Sequence, residues 1–406
     1  MTRVYQHCVV GHGLTGTAAC KYLAKRGEDV VLVGPSEGNG AHGACYDEGR
    51  IYRILDPHES WATLAQRSIE RYQDIAAEAG VDFFQESGLL IFGAEDDFIK
   101  QTEEVAARMG TALQRLTPAE IGARYPWLGV PQEAKLGLLQ TQNAGHMSPR
   151  KLTEAQLKLA LRHGATYVDA AVGQISRPEG GGPLTICRAD GERVLARNVL
   201  VAAGVYTSLL PLLPEEVTVA LTGAQALLVE VSSEAAARLA GMPAMIYESE
   251  EEEGCFYLLP PIQYPDGTWL IKIGPSTAFA PPLHTAAEVD AWFRRGRLDA
   301  DFEAKAQAAF QAMFPGVEVL AWRPLLCVTD QTPTQNAYVD RLAPGWGLCT
   351  GGNGWAAKSS DELGLLAAEM MALPGHWGPD PGLPREWFRA VTPGALLPTP
   401  QLTTAV

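Results

Sequence analysis

The sequence predicts a mixed α/β protein in which two domains are interleaved, one built on a largely parallel sheet and one on a large mixed or antiparallel sheet. Three observations predict this fold class. Residues 5–33 read as a strand, a glycine-rich turn, a helix and a second strand. A strongly apolar strand returns much later, at 197–203. Between 217 and 274, apolar and polar residues mostly alternate with the period of antiparallel strands.

The composition excludes several classes of protein. The 406 residues carry 32 Lys and Arg against 47 Asp and Glu, a net charge of −15, and no basic run stands out. Nucleic acid and membrane surfaces are therefore not expected partners. No apolar run approaches the roughly 20 residues that span a bilayer. Seven scattered cysteines and the absence of a signal-peptide pattern favour a reduced, cytoplasmic protein.

The first turn has the spacing of a phosphate-binding loop. Gly11, Gly13 and Gly16 flank Leu14 and Thr15 between the predicted strand and the predicted helix. The first glycine of such a loop makes the tight turn, the second lets a pyrophosphate approach the backbone, and the third lets the helix pack against the strand. The start of the helix then offers N–H groups to the anion. The pattern predicts a Rossmann-like, dinucleotide-binding unit.

One feature departs from that pattern at the end of the second strand. An acidic residue there usually binds the ribose hydroxyls, but this chain has Gly34. Two alternatives remain open. Ser36 or Glu37 reaches the ribose, or the ribose is held by backbone groups or water.

The downstream organisation favours FAD over a nicotinamide cofactor. A nicotinamide domain would continue with further β–α units, whereas this chain breaks into helices and alternating strands before the apolar strand that ends at Ala203 and Gly204. Near the C-terminus a second glycine-rich turn, containing Gly352, Asn353 and Gly354, joins a strand to a helix. The start of that helix is expected near the flavin ring, where its dipole would stabilise negative charge.

The remaining elements follow from apolar spacing and capping residues. Thr117, Pro118 and Glu120 form a capping box that starts a short helix. Further helices are expected over 17–26, 59–79, 96–109, 148–163 and 356–372, with two more within 286–313. Strands are expected over 217–232, 243–248, 255–260, 268–274, 317–328, 337–342 and 347–350, with two short ones within 83–93. After Leu373 frequent prolines predict an irregular tail, packed on the surface or partly loose.

Four segments carry a resemblance to a known family. They are the glycine loop, 47–53 (DEGRIYR), 269–274 (WLIKIG), and Cys327 together with 351–358. Their order resembles the D-amino-acid-oxidase-type FAD oxidoreductases, and within them most closely the monomeric sarcosine oxidase and N-methyltryptophan oxidase family. The similarity runs from about Val4 to Leu373 and leaves the tail uncovered.

The resemblance implies roles for three cations near the flavin. It places Arg53 on the substrate carboxylate, which arginine can bind with two parallel hydrogen bonds, and Arg50 beside the flavin. It places Lys272 over the flavin, where a positive charge would promote the reaction of reduced flavin with oxygen. The alternatives are surface salt bridges for the arginines and an outward-facing lysine on an edge strand.

Two further residues have implied roles near the C-terminus. A cysteine at the position of Cys327 forms a thioether to the flavin in the resembling family, so FAD is expected, with covalent attachment through Cys327 or with Cys327 inert. Lys358, in the first turn of the last helix, opposes the helix dipole and is implied as a second ligand of the substrate carboxylate. Cys8, Cys20 and Cys349 are expected to be structural, and Cys45 stays ambiguous.

The substrate pocket departs from the sarcosine oxidases. Tyr46 and Ser276 stand where that family carries histidines, and Trp355 is bulkier than its usual pocket residue. An amino or imino acid other than sarcosine is therefore expected. Tyr257 and Phe256 line the pocket or belong to the core. The eight histidines show no metal-ligand spacing, and no metal is predicted.

These observations predict a discontinuous FAD-binding domain at 1–82, 141–216 and 325–373, a substrate domain at 83–140 and 217–324, and a tail at 374–406. The expected reaction is oxidation of the C–N bond of a carboxylate-bearing secondary amine or amino acid, with oxygen reduced to hydrogen peroxide. Lys272, Arg50, Arg53 and Lys358 are the expected catalytic residues. The alternatives are a dehydrogenase that feeds a quinone or carrier, and a flavoprotein subunit of a larger oxidase. The oligomeric state stays open, with a monomer allowed.

Overall fold

The computed structural model describes residues 3–38, 42–275, 279–373, 375, 377 and 382–395. The strands within them are β1 (Val4–Val10), β2 (Val30–Val33), β3 (Arg50–Tyr52), β4 (Phe84–Glu86), β5 (Leu89–Gly93), β6 (Gln114–Leu116), β7 (Leu136–Gln140), β8 (Gly145–Met147), β9 (Thr166–Val168), β10 (Val172–Ser176), β11 (Leu184–Arg188), β12 (Arg193–Val201), β13 (Ala220–Val231), β14 (Ala244–Glu248), β15 (Phe256–Gln263), β16 (Trp269–Pro275), β17 (Pro282–Leu283), β18 (Ala321–Gln331), β19 (Tyr338–Ala343) and β20 (Trp346–Thr350). The helices are α1 (Leu14–Lys25), α2 (Glu59–Glu70), α3 (Tyr72–Ala79), α4 (Asp97–Met109), α5 (Pro118–Arg124), α6 (Pro149–Arg162), α7 (Ser233–Arg238), α8 (Ala286–Arg294), α9 (Ala300–Met313) and α10 (Ala356–Ala372). None of these helices is long and apolar enough to span a membrane.

An eight-stranded sheet carries the glycine loop. Its order is β10-β11-β12-β1-β2-β9, and β20 adds to β12 and β19 to β20. The strands β20, β12, β1, β2 and β9 run parallel, so their carboxyl ends meet at one edge. In a parallel sheet this edge is where ligands bind. Strand β2 and the last three residues of β1 and of β12 are apolar and buried, as expected when helices or loops cover both faces of the sheet.

A nine-stranded mixed sheet forms the second layer of the molecule. Its order is β17-β13-β16-β15-β14-β5-β7-β6, with β18 paired along the length of β13. Among the described strands of this sheet, only β14 and β5 pair in parallel. The α/β class with a parallel and a large mixed sheet is thereby confirmed. The predicted domain boundaries stay a prediction, and the one at 325 falls inside β18.

A small three-stranded sheet is built from strands that lie, along the chain, between strands of the two large sheets. Its order is β3-β8-β4, and all its pairs are antiparallel. Strand β3 begins at Arg50 and ends just before Arg53. The sheet therefore holds both arginines of the predicted site.

The first and last helices pack closely against each other. A Cβ added to Gly364 of α10 would lie 2.3 Å from the Cβ of Ala18 in α1, which only a glycine allows. Beside this contact the buried ammonium of Lys21 donates to Asp361. Arg71 reaches the same carboxylate, with its Nε 2.7 Å from Oδ2. Close packing and buried ion pairs therefore hold α1 and α10 together beside the parallel sheet.

Most of the predicted helices are present, and one prediction is wrong in detail. The capping box at Thr117 and Glu120 is formed, and α10 has the predicted bounds. The single helix expected over 59–79 is instead two helices that break at Arg71, which has ψ of −5°. The Arg71 side chain is held by Asp361 and Glu362, so long-range ion pairs fix the position of the break.

The described part of the tail is more deeply packed than predicted. It contains one short 3₁₀ turn at Arg385–Phe388, so its irregular backbone agrees with the frequent prolines. Phe388 is nevertheless fully buried in the core cluster beneath α10, and Leu383 packs beside it. Residues 374, 376, 378–381 and 396–406 lie outside the described ranges.

Candidate active site

The glycine loop brings the start of α1 against the end of β12. Gly11 has φ of +123°, and a Cβ there would lie 2.1 Å from the carbonyl oxygen of Ala202. A Cβ on Gly16 would lie 2.0 Å from the carbonyl oxygen of Gly11. At Gly13 an added Cβ meets no atom within 4 Å. Close packing therefore requires the outer two glycines, and the middle one faces open space where a pyrophosphate can approach the backbone.

The start of α1 is open to an anion. Gly13 is its N-cap, no side chain caps it, and its first turn contains no acidic residue. The first helical residues are Leu14 and Thr15, so their N–H groups lie at the positive end of the helix dipole. The glycine loop and the start of α1 therefore fit the pyrophosphate of FAD.

Ser36 and Glu37, which the sequence offers as ribose ligands at the end of β2, both contact other side chains of the protein. Glu37 forms an ion pair with Arg150 of α6. The N–H and Oγ of Ser36 donate to the two carboxylate oxygens of Asp169, at 2.7 and 2.6 Å. A Cβ on Gly34 would lie 2.4 Å from the backbone nitrogen of His12, so this position leaves no room for an acidic side chain. Asp169 was not identified from the sequence.

Ala203 and Gly204 lie where β12 ends, beside the second glycine-rich turn. Gly204 opens a 3₁₀ turn with φ of +54°. Its carbonyl oxygen accepts a hydrogen bond from the Oγ1 of Thr350, at 3.3 Å. The structure therefore brings the ends of β12 and β20 together at the ligand-binding edge.

Asp330 of β18 organises the turn between β20 and α10. Its carboxylate accepts hydrogen bonds from the N–H groups of Gly351 and Gly352, at 2.7 and 2.9 Å. Its carbonyl oxygen accepts from the N–H of Asn353, which has φ of +50°. Burial raises the pKa of Asp330, although these donors oppose that shift. Two N–H groups of the turn thus bind a carboxylate of the chain itself, and Gly354 follows with an open, exposed surface.

Lys272 lies in a buried ion cluster with Asp47 and Arg50. The Nζ of Lys272 is 2.7 Å from Oδ2 of Asp47 and 3.2 Å from the carbonyl oxygen of Gly49. Arg50 donates to the same Oδ2, and the hydroxyl of Tyr264 donates to Oδ1 at 2.8 Å. Burial alone would raise the pKa of Asp47, but Lys272 and Arg50 outweigh it and hold that pKa well below its usual range.

Tyr257 and Cys327 border this cluster. The Nζ of Lys272 lies 5.7 Å from the centre of the Tyr257 ring. Both Tyr257 and Cys327 are close enough to Arg50 to interact with it electrostatically. The Cys327 thiol is half-buried on β18 and contacts the carbonyl oxygen of Val328. The predicted cysteine and the predicted lysine are therefore brought to one place, beside the guanidinium of Arg50.

Arg53 and Lys358 converge on Asp56. Arg53 Nη1 lies 3.1 Å from Oδ2 of Asp56, and the Lys358 ammonium donates to the same oxygen. The three residues expose 5%, 3% and 0% of their surface. Burial lowers the pKa of Lys358 to about 8, against the pull of Asp56. Burial would raise the pKa of Asp56, but the two cations outweigh it and hold that pKa below its ordinary value.

Aromatic rings stand beside the Lys358 cluster. The Trp355 ring lies 4.9 Å from the His58 ring and 5.9 Å from the Trp61 ring, centre to centre. Trp61 is fixed in turn by a hydrogen bond from its Nε1 to the carbonyl oxygen of Gln335. Burial lowers the pKa of His58, which favours the neutral form of its ring. Trp355 thus forms part of an aromatic wall next to the buried cations.

The small sheet separates the two cation clusters. Arg50 begins β3 and Arg53 follows its last residue, so the two stand three residues apart, and an odd separation along an extended segment points side chains to opposite sides. Arg50 shares the carboxylate of Asp47 with Lys272, and Arg53 shares that of Asp56 with Lys358.

Other predicted residues have structural positions. Phe256 is buried in the core of the nine-stranded sheet, and the Tyr46 hydroxyl donates to the carbonyl oxygen of Pro35. Ser276 lies outside the described residues. Burial raises the pKa of Cys20 to about 12 and that of Cys45 to about 11, as expected for thiols that stay protonated. In the described ranges no three His, Cys, Asp or Glu side chains are grouped to hold a metal ion.

Four carboxylates of the site were missed by sequence reasoning: Asp47, Asp56, Asp169 and Asp330. Two of them carry a signal that local spacing could have given, because Asp47 precedes Arg50 by three residues and Asp56 follows Arg53 by three. The other two become site residues only when distant strands meet. Sequence reasoning searched for cations that bind a substrate and overlooked the acids that bind those cations.

The family comparison covers most of the chain. The profile of a family described as DAO, FAD dependent oxidoreductase, matches residues 6–370. The chain is similar to the monomeric sarcosine oxidase of Bacillus sp. (strain B-0618), with 31% identity over 40% of this chain and 44% of that protein. It is also similar to the N-methyl-L-tryptophan oxidase of Yersinia pestis (strain Pestoides F), with 26% identity over 52% of this chain and 56% of that protein. The chain thus spans about half the length of the curated relatives it matches.

Solved structures share the fold at low sequence identity. The L-proline dehydrogenase from P. horikoshii superposes with a TM-score of 0.76 at 19% identity, over 96% of this chain and 97% of that one. The Tyr258Phe mutant of NikD, described as an unusual amino acid oxidase essential for nikkomycin biosynthesis, superposes with a TM-score of 0.78 at 19% identity, over 98% and 99%. These likenesses show the fold.

Proposed function

The chain belongs to the DAO family of FAD dependent oxidoreductases, and from that premise we propose that it oxidises the C–N bond of a carboxylate-bearing secondary amine or amino acid. The relatives named above as oxidases of sarcosine and N-methyl-L-tryptophan support this reaction class. The departures at Tyr46 and Trp355 favour an amino or imino acid other than sarcosine.

The observation that carries the proposal is the convergence of Arg53 and Lys358 on one buried carboxylate. Burying two cations is costly unless anions are bound there. Asp56 supplies one negative charge, which leaves a net charge of +1 in the cluster at neutral pH. A single substrate carboxylate complements that charge. Asp56 would therefore hold both cations in position while leaving them able to bind one more anion.

Residues of the glycine loop and of the cation clusters fit the cofactor. Bound FAD would supply the oxidant for this reaction: the carbon next to the substrate nitrogen would lose a hydride and the nitrogen a proton, and oxygen would then take up the two electrons and two protons, giving an imine and hydrogen peroxide. The cofactor would be held by Gly11, Gly13, Leu14, Thr15 and Gly16 at one end, and by Arg50, Ala203, Gly204, Cys327, Gly352, Asn353 and Gly354 nearer the substrate. No metal is required for this chemistry.

The remaining site residues have binding and electrostatic roles in the proposal. Arg53 and Lys358 would fix the carboxylate and thereby orient the C–H bond next to nitrogen. Trp355 and Tyr257 would form the walls of the pocket and exclude water from it. Lys272 would supply the positive charge that favours electron transfer to oxygen. An acyclic imine product would react with water after release, whereas a cyclic one can persist.

A second candidate differs in the electron acceptor. Lys272 is ion-paired with Asp47, so a large part of its positive charge is already balanced. That pairing favours a dehydrogenase that delivers electrons to a quinone or carrier. The two candidates are separated by reducing the protein anaerobically with substrate and mixing it with air or with a soluble quinone. Reoxidation within seconds in air supports the oxidase, and reoxidation only by the quinone supports the dehydrogenase.

The substrate class is tested by pairing each amino acid with an amine that lacks only the carboxylate. Sarcosine with dimethylamine and proline with pyrrolidine are such pairs, and larger N-methyl and cyclic imino acids extend the series. We expect the carboxylates to bleach the flavin absorbance anaerobically and the matched amines to do so far more slowly. In the Lys358→Met variant we expect this preference to shrink, mainly through a higher KM for the carboxylates.

Two outcomes would count against the proposal. Amines that bleach the wild-type flavin as fast as their carboxylate partners would remove the carboxylate from recognition. A purified chain that contains FAD but is bleached by none of the series would favour the flavoprotein-subunit alternative. Lys151→Met, a substitution of the same type on the surface of α6, serves as the matched control and should behave as wild type.

A further inference from the structure

The edge of the parallel sheet beyond β2 contains a carboxylate with no role so far. Asp169 follows β9 directly, and β9 pairs in parallel with β2 so that Val33 stands opposite Val168. The N–H of Gly34 donates to the carbonyl oxygen of Val168, at 3.2 Å. Asp169 therefore stands beside Gly34, at the end of the neighbouring strand. Gly34 occupies the position where dinucleotide-binding sheets usually carry their acid, and Asp169 lies one strand spacing away from it.

The usual position of the acid is closed in this chain. A Cβ on Gly34 would lie 2.4 Å from the nitrogen of His12 and 3.0 Å from the carbonyl carbon of Gly11. Both atoms belong to the backbone of the glycine loop, so they cannot move aside without changing the loop. A side chain on residue 34 is thus excluded by the element that binds the pyrophosphate.

Ser36 orients the Asp169 carboxylate. Its N–H lies 2.7 Å from Oδ1 and its Oγ lies 2.6 Å from Oδ2, so each oxygen accepts one hydrogen bond from the same residue. An ionised carboxylate offers about four acceptor positions, and the two hydrogen bonds from Ser36 use two of them. Because Asp169 is exposed, the outer side of this carboxylate can be reached by a ligand.

Neighbouring side chains fix the turn that carries Ser36. The hydroxyl of Tyr167 donates to the carbonyl oxygen of Gly34, and that of Tyr46 donates to Pro35, both at 3.1 Å. The Tyr167 ring stacks on the His12 ring with their centres 4.8 Å apart. The glycine loop, the Ser36 turn and the end of β9 therefore form one connected surface.

We propose that Asp169, oriented by Ser36, binds the ribose hydroxyls of the adenosine half of FAD in place of an acid at the end of β2. Glu37, the nearest acid along the chain, is instead paired with Arg150. A carboxylate that accepts from vicinal hydroxyls is the recognition that dinucleotide-binding sheets use, here supplied by the next strand. The inference rests on the family's cofactor and not on the proposed substrate.

The test measures nucleotide binding by the full chain, without turnover. The Cys327→Ser background prevents any covalent link, so FAD can be removed and returned. In that background Asp169→Asn is compared with Glu37→Gln as matched control. We expect Asp169→Asn to weaken FAD binding by about 10- to 100-fold, as for the loss of a charge-assisted hydrogen bond, and Glu37→Gln to change it by less than about threefold.

A second probe separates ribose recognition from a structural role. ADP and 2′-deoxy-ADP differ only in one ribose hydroxyl. We expect the unsubstituted pocket to bind ADP at least about tenfold more tightly than 2′-deoxy-ADP and Asp169→Asn to bind both equally. Equal FAD affinity of Asp169→Asn and its parent, or an ADP preference that survives the substitution, would overturn the proposal. Because neither readout involves an amine, its failure is distinguishable from a failure of the proposed oxidation.

Discussion

Lys272 and Asp47 form a buried ion pair in which Nζ lies 2.7 Å from Oδ2, and Arg50 donates to the same oxygen. One carboxylate thus holds two cations, as Asp56 does for Arg53 and Lys358 on the other side of β3. Each cluster keeps a net charge of +1. The site is therefore cationic without having an isolated buried cation, which would be far more costly.

Lys272→Met is expected to slow the reaction with oxygen while leaving substrate oxidation nearly intact. Methionine keeps the length of the side chain but removes the positive charge that would favour electron transfer to oxygen. Stopped-flow absorbance should record flavin reduction under anaerobic conditions and reoxidation after mixing with oxygen. An equal loss in both half-reactions would show that Lys272 does not act on oxygen.

Asp47→Asn is expected to destabilise the fold by about 3–5 kcal/mol, because it leaves Lys272 buried without its counter-charge. The double variant Asp47→Asn/Lys272→Met should recover part of that loss, since only the more exposed Arg50 then lacks a counter-charge, and it keeps its hydrogen bonds to the carbonyl oxygens of Gly49 and Ala44. Urea unfolding of both variants and of Lys272→Met alone gives the unfolding free energies that complete the double-mutant cycle. Additive losses would contradict an energetic coupling between the two residues.

Binding of a carboxylate should weaken as the pH rises through about 8. Burial lowers the pKa of Lys358 to about 8, so above this pH the folded protein loses the ammonium charge that would attract the ligand. Below it the charge is fully present. Titration of the flavin spectrum with propionate, which has no amine of its own to titrate, measures the affinity between pH 6.5 and 9.5.

Lys358→Arg is the control for this pH dependence. Its guanidinium stays protonated across the range, so its affinity profile should be flat where that of the wild type falls. The same fall in both proteins would assign the pH dependence to another group.

Cys327 is tested by precipitating the protein in acid. A yellow pellet whose intact mass includes one FAD would show a covalent flavin, and Cys327→Ser should give a colourless pellet and a yellow supernatant. The control is Cys45→Ser, the neighbouring thiol, whose buried sulfur has a pKa raised to about 11. A wild-type pellet without colour would leave the FAD fold in place and remove Cys327 from the link.

Gly364→Ala is expected to destabilise the protein by about 1–3 kcal/mol even though alanine favours helices. Its Cβ would lie 2.3 Å from the Cβ of Ala18 across the contact between α1 and α10. Gly122→Ala, on α5, meets its nearest atom at 3.9 Å and should stabilise by up to about 1 kcal/mol. Thermal unfolding of the two variants should give shifts of opposite sign, and shifts of the same sign would contradict this account.

Local patterns in the sequence were enough to predict the glycine loop, the capping box at Thr117 and the bounds of α10. Each of these depends on residues within a few positions of one another. The break at Arg71 could not be seen locally, because it depends on Asp361 and Glu362, far along the chain. The same holds for Asp169 and Asp330, which become part of the site through strand pairing and turn geometry. The cations were identified through a family resemblance, whereas their carboxylate partners needed the structure.

The contact between α1 and α10 also has a consequence for how the protein is made. The glycine loop and α1 leave the ribosome long before α10, which buries one face of α1 and carries Lys358. Strand β1 likewise can pair with β12 only after β12 has been translated, and β12 can pair with β20 only after β20 has been translated. We expect a chain that stops before α10 to expose apolar surface to chaperones and proteases. Premature termination should therefore give rapid turnover in the cell and no partly active flavoprotein.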